Sequence, residues 1–332
     1  MASIAPFIGA IFMAETQKHL GEFKSIFAKE LTPELAGSYV ASLVEALGGQ
    51  DQPLETLVQK GVALHEYVGE TLYGPLIVGY VNWVEAMCGN MDHTGPVFFA
   101  LRDAAPLQVA AKVLWQGKDI YPVDVYANRP MLNIEDEIDP QWAKANSNVV
   151  KYLGMLGLAQ MKNVVWADTG AWGTVVKALK VGILHHADFY PLFLYSHNPY
   201  IPGYLNGQLA QCRIEDSFGE VLNDSVECVF PQPYIRPLDV VQANGSWQVQ
   251  LETSGYLSQK WGQAALSGVQ KAAVRVLSGQ PIEDEQSALL QLKALSSKAK
   301  STGQWTGVLP TNTPTWSKGQ EFLDDWPEDL LP

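Results

Sequence analysis

The chain has 332 residues, 47% of them apolar and 10% aromatic, with 22 basic against 35 acidic side chains and a formal net charge of −13. This is enough apolar material for one large or two ordinary globular domains. So acidic a balance argues against a broad phosphate-neutralising surface, which excludes DNA as a partner and disfavours tRNA.

The three cysteines, Cys88, Cys212 and Cys228, are odd in number and far apart, with no metal-type spacing, and fit a reducing compartment. No apolar run reaches transmembrane length, and Met1 to Met13, though apolar, lacks a basic n-region and resembles a core helix more than a signal peptide. A cytoplasmic protein that uses no membrane is expected.

In chain order, residues 1–94 are expected to form a helical cap. Thr32-Pro33-Glu34 is an N-cap with proline at the first helical position, and Leu35, Tyr39, Val40, Leu43, Val44 and Leu47 recur at helical spacing until Gly48-Gly49. Gln52-Pro53 starts a second helix, and Leu72 to Met87, apolar on most sides, reads as a third and buried one. His19, His65 and Glu85 read as ordinary helix residues.

From residue 95 to 300 the pattern becomes an α/β core followed by C-terminal helices. Strands are expected at Val97 to Leu101, Val123 to Ala127, Val164 to Ala167, Val181 to His185 and Leu192 to Ser196. Helices are expected at Pro106 to Trp115, Gln141 to Leu158 and Val175 to Lys180. Strands spaced by helices mean a parallel sheet with right-handed crossovers. Beyond Asn198 the chain is rich in Pro, Gly and Asn, and helices stand out only near Phe218 to Glu227 and Leu257 to Leu277. Residues 301–332 read as an extended acidic tail.

The most informative stretch runs from Asn163 to Thr174, where an apolar strand ends in Asp168 and a turn of Thr169, Gly170, Ala171, Trp172, Gly173 and Thr174 leads into a helix. At the carboxyl end of a strand in an open α/β sheet, such a turn offers backbone N–H groups and a helix N-terminus to an anion. A second turn, Arg102-Asp103-Ala104-Ala105, leaves the first strand in the same way. The guanidinium of Arg102 suits phosphate or carboxylate. Asp103 and Asp168 could bind a metal, hold ribose hydroxyls or act as general base. Thr169 and Thr174 supply hydroxyls, Gly170 and Gly173 allow close backbone approach, and Trp172 could stack on a base or sugar. The blander reading makes Asp103 a helix cap and the glycines mere turn residues. His185-His186-Ala187-Asp188 and Tyr195-Ser196-His197-Asn198 each read as following a strand, on the edge that carries Asp168, and as hydrogen-bonded loop histidines rather than metal ligands.

The order of these elements resembles that of type I phosphoribosyltransferases: a strand ending in a small basic turn, a second strand at Val123 to Ala127, an irregular stretch from Asn128 to Pro140 carrying Arg129, and a strand running into an acidic Thr/Gly loop. The chain is also similar to a poorly characterised bacterial domain found beside haloacid-dehalogenase-like hydrolases, which carries an Arg-Asp-Gly turn and an Asp-x-Gly-x-x-Gly-Thr loop. That likeness extends to Ile201-Pro202-Gly203-Tyr204-Leu205 and to Asn223-Asp224-Ser225-Val226-Glu227.

The resemblance implies a central parallel sheet of phosphoribosyltransferase-like type and group transfer on a phosphorylated or nucleotide-like small molecule. It implies Arg102, Asp103, Asp168 and Glu227 as the chemical residues. Thr169, Gly170, Trp172, Gly173, Thr174 and Arg129 would be ligand contacts, and Mg2+ the cofactor. The partner would be a small-molecule substrate, with a homodimer left open. The chain departs from the family in having one loop acid, Asp168, followed directly by Thr169-Gly170, and Asp103-Ala104-Ala105 in place of a glycine-rich turn. These departures admit a non-catalytic ligand-binding or regulatory protein, or a tailoring enzyme acting on a non-phosphorylated substrate in the same pocket.

Overall fold

The computed structural model describes residues 54–101, 103–127, 131–132, 147–171, 173–196, 211–214, 226, 230, 234–253 and 256–302. The expected helices before residue 54, the Phe218 to Glu227 helix apart from Val226, and the acidic tail beyond residue 302 lie outside these; residues 301–302 are helical. The chain forms two units, one of residues 1–76, 224–233 and 254–332, the other of residues 77–223 and 234–253. No helix among the described residues is long and apolar enough to cross a membrane.

In the first unit, helix α1 (Leu54–Val68) follows Gln52-Pro53 and continues through one π-helical turn at Gly69–Tyr73 into α2 (Gly74–Asn90), which passes into the second unit after Leu76. The extra residue of a π turn re-aims the side chains beyond it. Its partners lie near the other end of the chain, in α6 (Tyr256–Leu277) and α7 (Glu285–Thr302). His65, an ordinary helix residue as expected, is buried in α1 and stacks on Trp261 of α6, with ring centroids 5.3 Å apart at 17°.

The second unit is built on a sheet of five parallel strands, so the class is α/β. Strand β1 (Gly95–Leu101) is buried from Val97 to Leu101 without alternation, as a strand covered on both faces must be. After it come α3 (Ala105–Leu114), β2 (Ile120–Tyr126), α4 (Ser147–Met155), β3 (Asn163–Ala171), α5 (Thr174–Gly182), β4 (Asp188–Ser196) and β5 (Gln211–Ile214). The strand order is β2-β1-β3-β4-β5, which is the doubly wound order of flavodoxin-like sheets. Proline is tolerated where no ladder bond is lost: Pro122 lies in the outer strand β2, and Pro191 lies one residue before β4 begins to pair with β5 at Leu192. On one face Phe98, Val164, Trp166, Phe189 and Phe193 pack with Tyr152 and Leu153 of α4 and with Val176 and Leu179 of α5.

Three expectations are corrected. Val181 to His185 is no strand: Val181 and Gly182 end α5, residues 183–187 turn, and β4 is one strand from Asp188. Val181 closes a helix and Ile183 and Leu184 lie in the turn after it, and periodicity over five residues does not separate such a run from a buried strand. Residues 234–253 form an antiparallel hairpin, β6 (Tyr234–Ala243) and β7 (Ser246–Thr253), turning at Asn244-Gly245 with positive φ at both, a turn signal that the surrounding Pro and Asn content concealed. Helix α7 was likewise not expected.

Candidate functional site

In a sheet ordered β2-β1-β3-β4-β5, the chain turns one way from β1 to β2 and the other way to β3, so the crevice at the topological switch lies between the carboxyl ends of β1 and β3. The turn expected after β1 opens there; the one expected after Asp168 is corrected, since Thr169, Gly170 and Ala171 continue the strand and the chain leaves it only after Ala171. The pairing of Phe99 with Ala167 sets Asp168 level with Ala100, near the end of β1, and β3 runs on to Ala171 beside β4. Asp103 stands two residues past β1, close enough for its charge to act on Asp168.

The Asp168 carboxyl is pushed up to about 8, first by burial and then by the neighbouring Asp103 charge. The backbone N–H groups of Thr169 and Gly170 and the indole of Trp166 pull the other way and are outweighed. Part of the residue reaches the surface, yet its carboxyl is crowded by protein. Trp166, two residues earlier on the same face of β3, is fully buried, and its Nε1 makes no hydrogen bond of full geometry although it lies near that carboxyl.

Thr169 is buried and its hydroxyl stands 3.5 Å from Asp168 Oδ1. Gly170 (φ +111°) uses its freedom against β4, since a Cβ there would meet the Tyr195 carbonyl oxygen. Gly173 (φ 62°) is the N-cap of α5 and Thr174 its buried first residue. Its N-cap is a glycine and so supplies no side-chain acceptor to the first-turn N–H groups. The N-cap of α3 is Ala104, also without a side-chain bond, so Asp103 is not the cap that the blander reading made it. Arg102, Trp172, Arg129 and Glu227 lie outside the described residues.

The histidine expectation is corrected as well. His185 and His186 are exposed in the turn that enters β4, not on a strand end beside Asp168. Asn163 pairs with Asp188 and Asp168 with Phe193, so the two groups stand at opposite ends of the sheet, about 16 Å apart along the strand. His197 lies outside the described residues.

Sequence reasoning missed two residues. Tyr80 of α2 is fully buried; its hydroxyl donates to the Leu192 carbonyl at 2.6 Å and stands 3.5 Å from that of Asp168. Burial and the Asp168 charge raise its phenol well above the ordinary range, so it stays a donor. Its one sequence signal was a hydroxyl on a helix apolar on most sides. Trp166 was legible only as a core residue, although its position two before Asp168 puts both on one face. No protein-family model matches the chain, and no curated protein matches it.

Proposed function

We propose that the chain is an enzyme acting on a phosphorylated or nucleotide-like small molecule by phosphoribosyltransferase-like group transfer, with its site at the β1/β3 switch point. The observation that carries this reading is the meeting of Asp103 and Asp168 at the carboxyl ends of adjacent parallel strands, beside a helix whose N-cap is Gly173. First-turn N–H groups of α5 and the Thr174 hydroxyl bind the phosphate. Asp168, a carboxyl that keeps its proton near neutrality, serves as the acid or base, and Asp103 holds a ligand hydroxyl. Arg102, leaving the same turn, neutralises the leaving group.

The resemblance brings Mg2+ with it. Among the described residues no three acidic, histidine or cysteine side chains gather to hold an ion, and Asp168 is already faced by N–H donors. In this reading the metal travels on the ligand's own phosphates. The test is calorimetric titration of inorganic phosphate, nucleoside monophosphates and phosphoribosyl pyrophosphate, each with and without Mg2+. Binding of the phosphorylated ligands, weakened in an Asp168→Asn variant, is expected. Absence of binding at millimolar concentration overturns the reading, and tight binding without turnover would make the protein a ligand-binding regulator.

A further inference from the structure

The sheet β6-β7 has one outer edge on each strand, and the two edges differ. The hairpin closes on the pair Ala243 and Ser246, and from there every second residue of an antiparallel ladder turns its N–H and C=O away from the partner strand. On β6 such a residue is Val240, and both of its groups are taken: its N–H donates to Asp239 Oδ1 at 2.7 Å, and its carbonyl accepts from Asn148 Nδ2 of α4 at 3.1 Å. Farther along, Pro237 offers no N–H, and the register shifts between Tyr234 and Arg236 and again between Pro237 and Asp239. An edge with proline, a carboxylate and bulges is closed to other strands.

Strand β7 has none of these devices. Its outward-turned residues are Trp247, Val249 and Leu251, and among the described residues no hydrogen bond outside the sheet reaches their backbone groups. The strand contains no proline and no basic residue, and its only charge is Glu252. Trp247 and Val249 lie with Val240 on the face packed against the core, Trp247 under the Lys151 ammonium, while Gln248 and Gln250 are exposed on the other face. Val240 is fully buried and the β7 residues on that face only partly so, which makes β7 the outer strand.

We propose that the β7 edge pairs with β7 of a second copy of this chain, antiparallel about a two-fold axis at Val249, so that two hairpins join into one sheet. The strand's own order argues for this occupant. With Val249 on the axis, Trp247 faces Leu251 of the second copy and Gln248 faces its Gln250, so apolar meets apolar on one face and amide meets amide on the other. Ser246 faces its Glu252, a hydroxyl before a carboxylate, and no like charges stand directly opposite. Trp247, Val249 and Leu251 exchange both backbone groups with their opposites, and the two-fold closes the contact. An isolated two-stranded hairpin is marginal and gains from such a neighbour. So short an interface belongs to the weak class, with a dissociation constant in the micromolar range. The inference is independent of the reading of the switch-point site.

Sedimentation velocity of the full chain over a wide concentration range tests it, with amide hydrogen exchange read in the same samples. A reversible monomer–dimer equilibrium is expected. Protection should rise with concentration at the Trp247, Val249 and Leu251 amides, and stay unchanged at those of Gln248 and Gln250, which the hairpin already bonds. Gln248→Lys with Gln250→Lys sets like charges opposite across the axis, on an exposed face, and should weaken the dimer about tenfold. Gln248→Glu with Gln250→Glu should weaken it as well. An equimolar mixture of the two double variants should dimerise again, which a folding defect in either could not bring about.

A monomer at every concentration overturns the proposal and leaves the edge to a strand of another protein. A dimer that neither double variant weakens overturns it too, since that dimer uses another surface. Equal protection of the Trp247, Val249 and Leu251 amides at all concentrations would show that a further segment of this chain already holds the edge, and this also overturns it.

Discussion

A Cβ atom at Gly170 would stand 1.8 Å from the carbonyl oxygen of Tyr195. Gly170 pairs with Tyr195 across β3 and β4 and holds φ at +111°, a conformation that side chains rarely adopt. The close approach that its sequence position promised is an approach of strand to strand. Gly170→Ala is therefore expected to cost about 3 kcal/mol or more in urea unfolding, from overpacking and backbone strain together. A loss under about 1 kcal/mol would mean that β4 yields at Tyr195.

Asp168 makes stability depend on pH in the direction opposite to an ordinary salt-bridged acid. Its carboxyl is raised from 3.8 to about 8 by burial and by Asp103. Between those values the unfolded chain has lost the proton and the folded chain keeps it, so stability falls as pH rises through that window and levels off above it. Asp168→Asn removes the penalty. The variant should gain about 2–3 kcal/mol over wild type at pH 9, with the solvent-exposed part of the residue discounted, and little at pH 4. Equal pH profiles for the two proteins would show that Asp168 ionises freely.

The parts of the fold legible in the sequence are those in which one residue pattern admits one structure. The unbroken apolar runs at Val97 to Leu101 and Val164 to Ala167 could only be strands buried on both faces, though the second strand runs on past Asp168 to Ala171, and Pro106 fixed the start of α3. The run Val181 to His185 was misread because the last apolar turn of a short helix and a buried strand have the same composition. In the site, the pairing of the two turns followed from strand adjacency. The contributions of Tyr80 and Trp166 did not, because each depends on which atoms lie across a tertiary contact: the Leu192 carbonyl for one, the Asp168 carboxyl for the other.

His65 supplies an acid-sensitive point in the helical unit. Burial against Trp261 lowers its imidazole from 6.5 to about 4, and its Nδ1–H donates to the Gly61 carbonyl at 2.7 Å, which fixes the tautomer. Between pH 6.5 and 4 the unfolded chain gains a proton that the folded chain refuses, so stability is lost as pH falls through that window, by about 3 kcal/mol in all. His65→Phe keeps a ring against Trp261 and cannot charge. Its unfolding free energy should lie below wild type at pH 7, where the Gly61 bond is missed, and should fall less steeply toward pH 4. A wild-type profile that stays level across this range would place the imidazole in contact with solvent.

The seam on which α6 meets α1 and the π turn is set by small residues more than by its ion pairs. A Cβ at Gly268 would stand 2.1 Å from the Glu66 carbonyl oxygen and 2.6 Å from the Glu70 nitrogen, and one at Gly69 would stand 2.2 Å from the Ala265 carbonyl oxygen. The backbones touch, so one methyl must force the helices apart along buried Val269, Ala272 and Ala273. Beside this seam Arg275 pairs with Glu70 at 3.1 Å and Lys271 with Glu66 at 2.8 Å, all four partly exposed, where charge pairs contribute little. Gly268→Ala is expected to cost about 2–3 kcal/mol in denaturant unfolding and Arg275→Met under about 1 kcal/mol. The reverse ranking would mean that the ion pairs fix how α6 lies on α1, and that the glycines merely tolerate the distance those pairs impose.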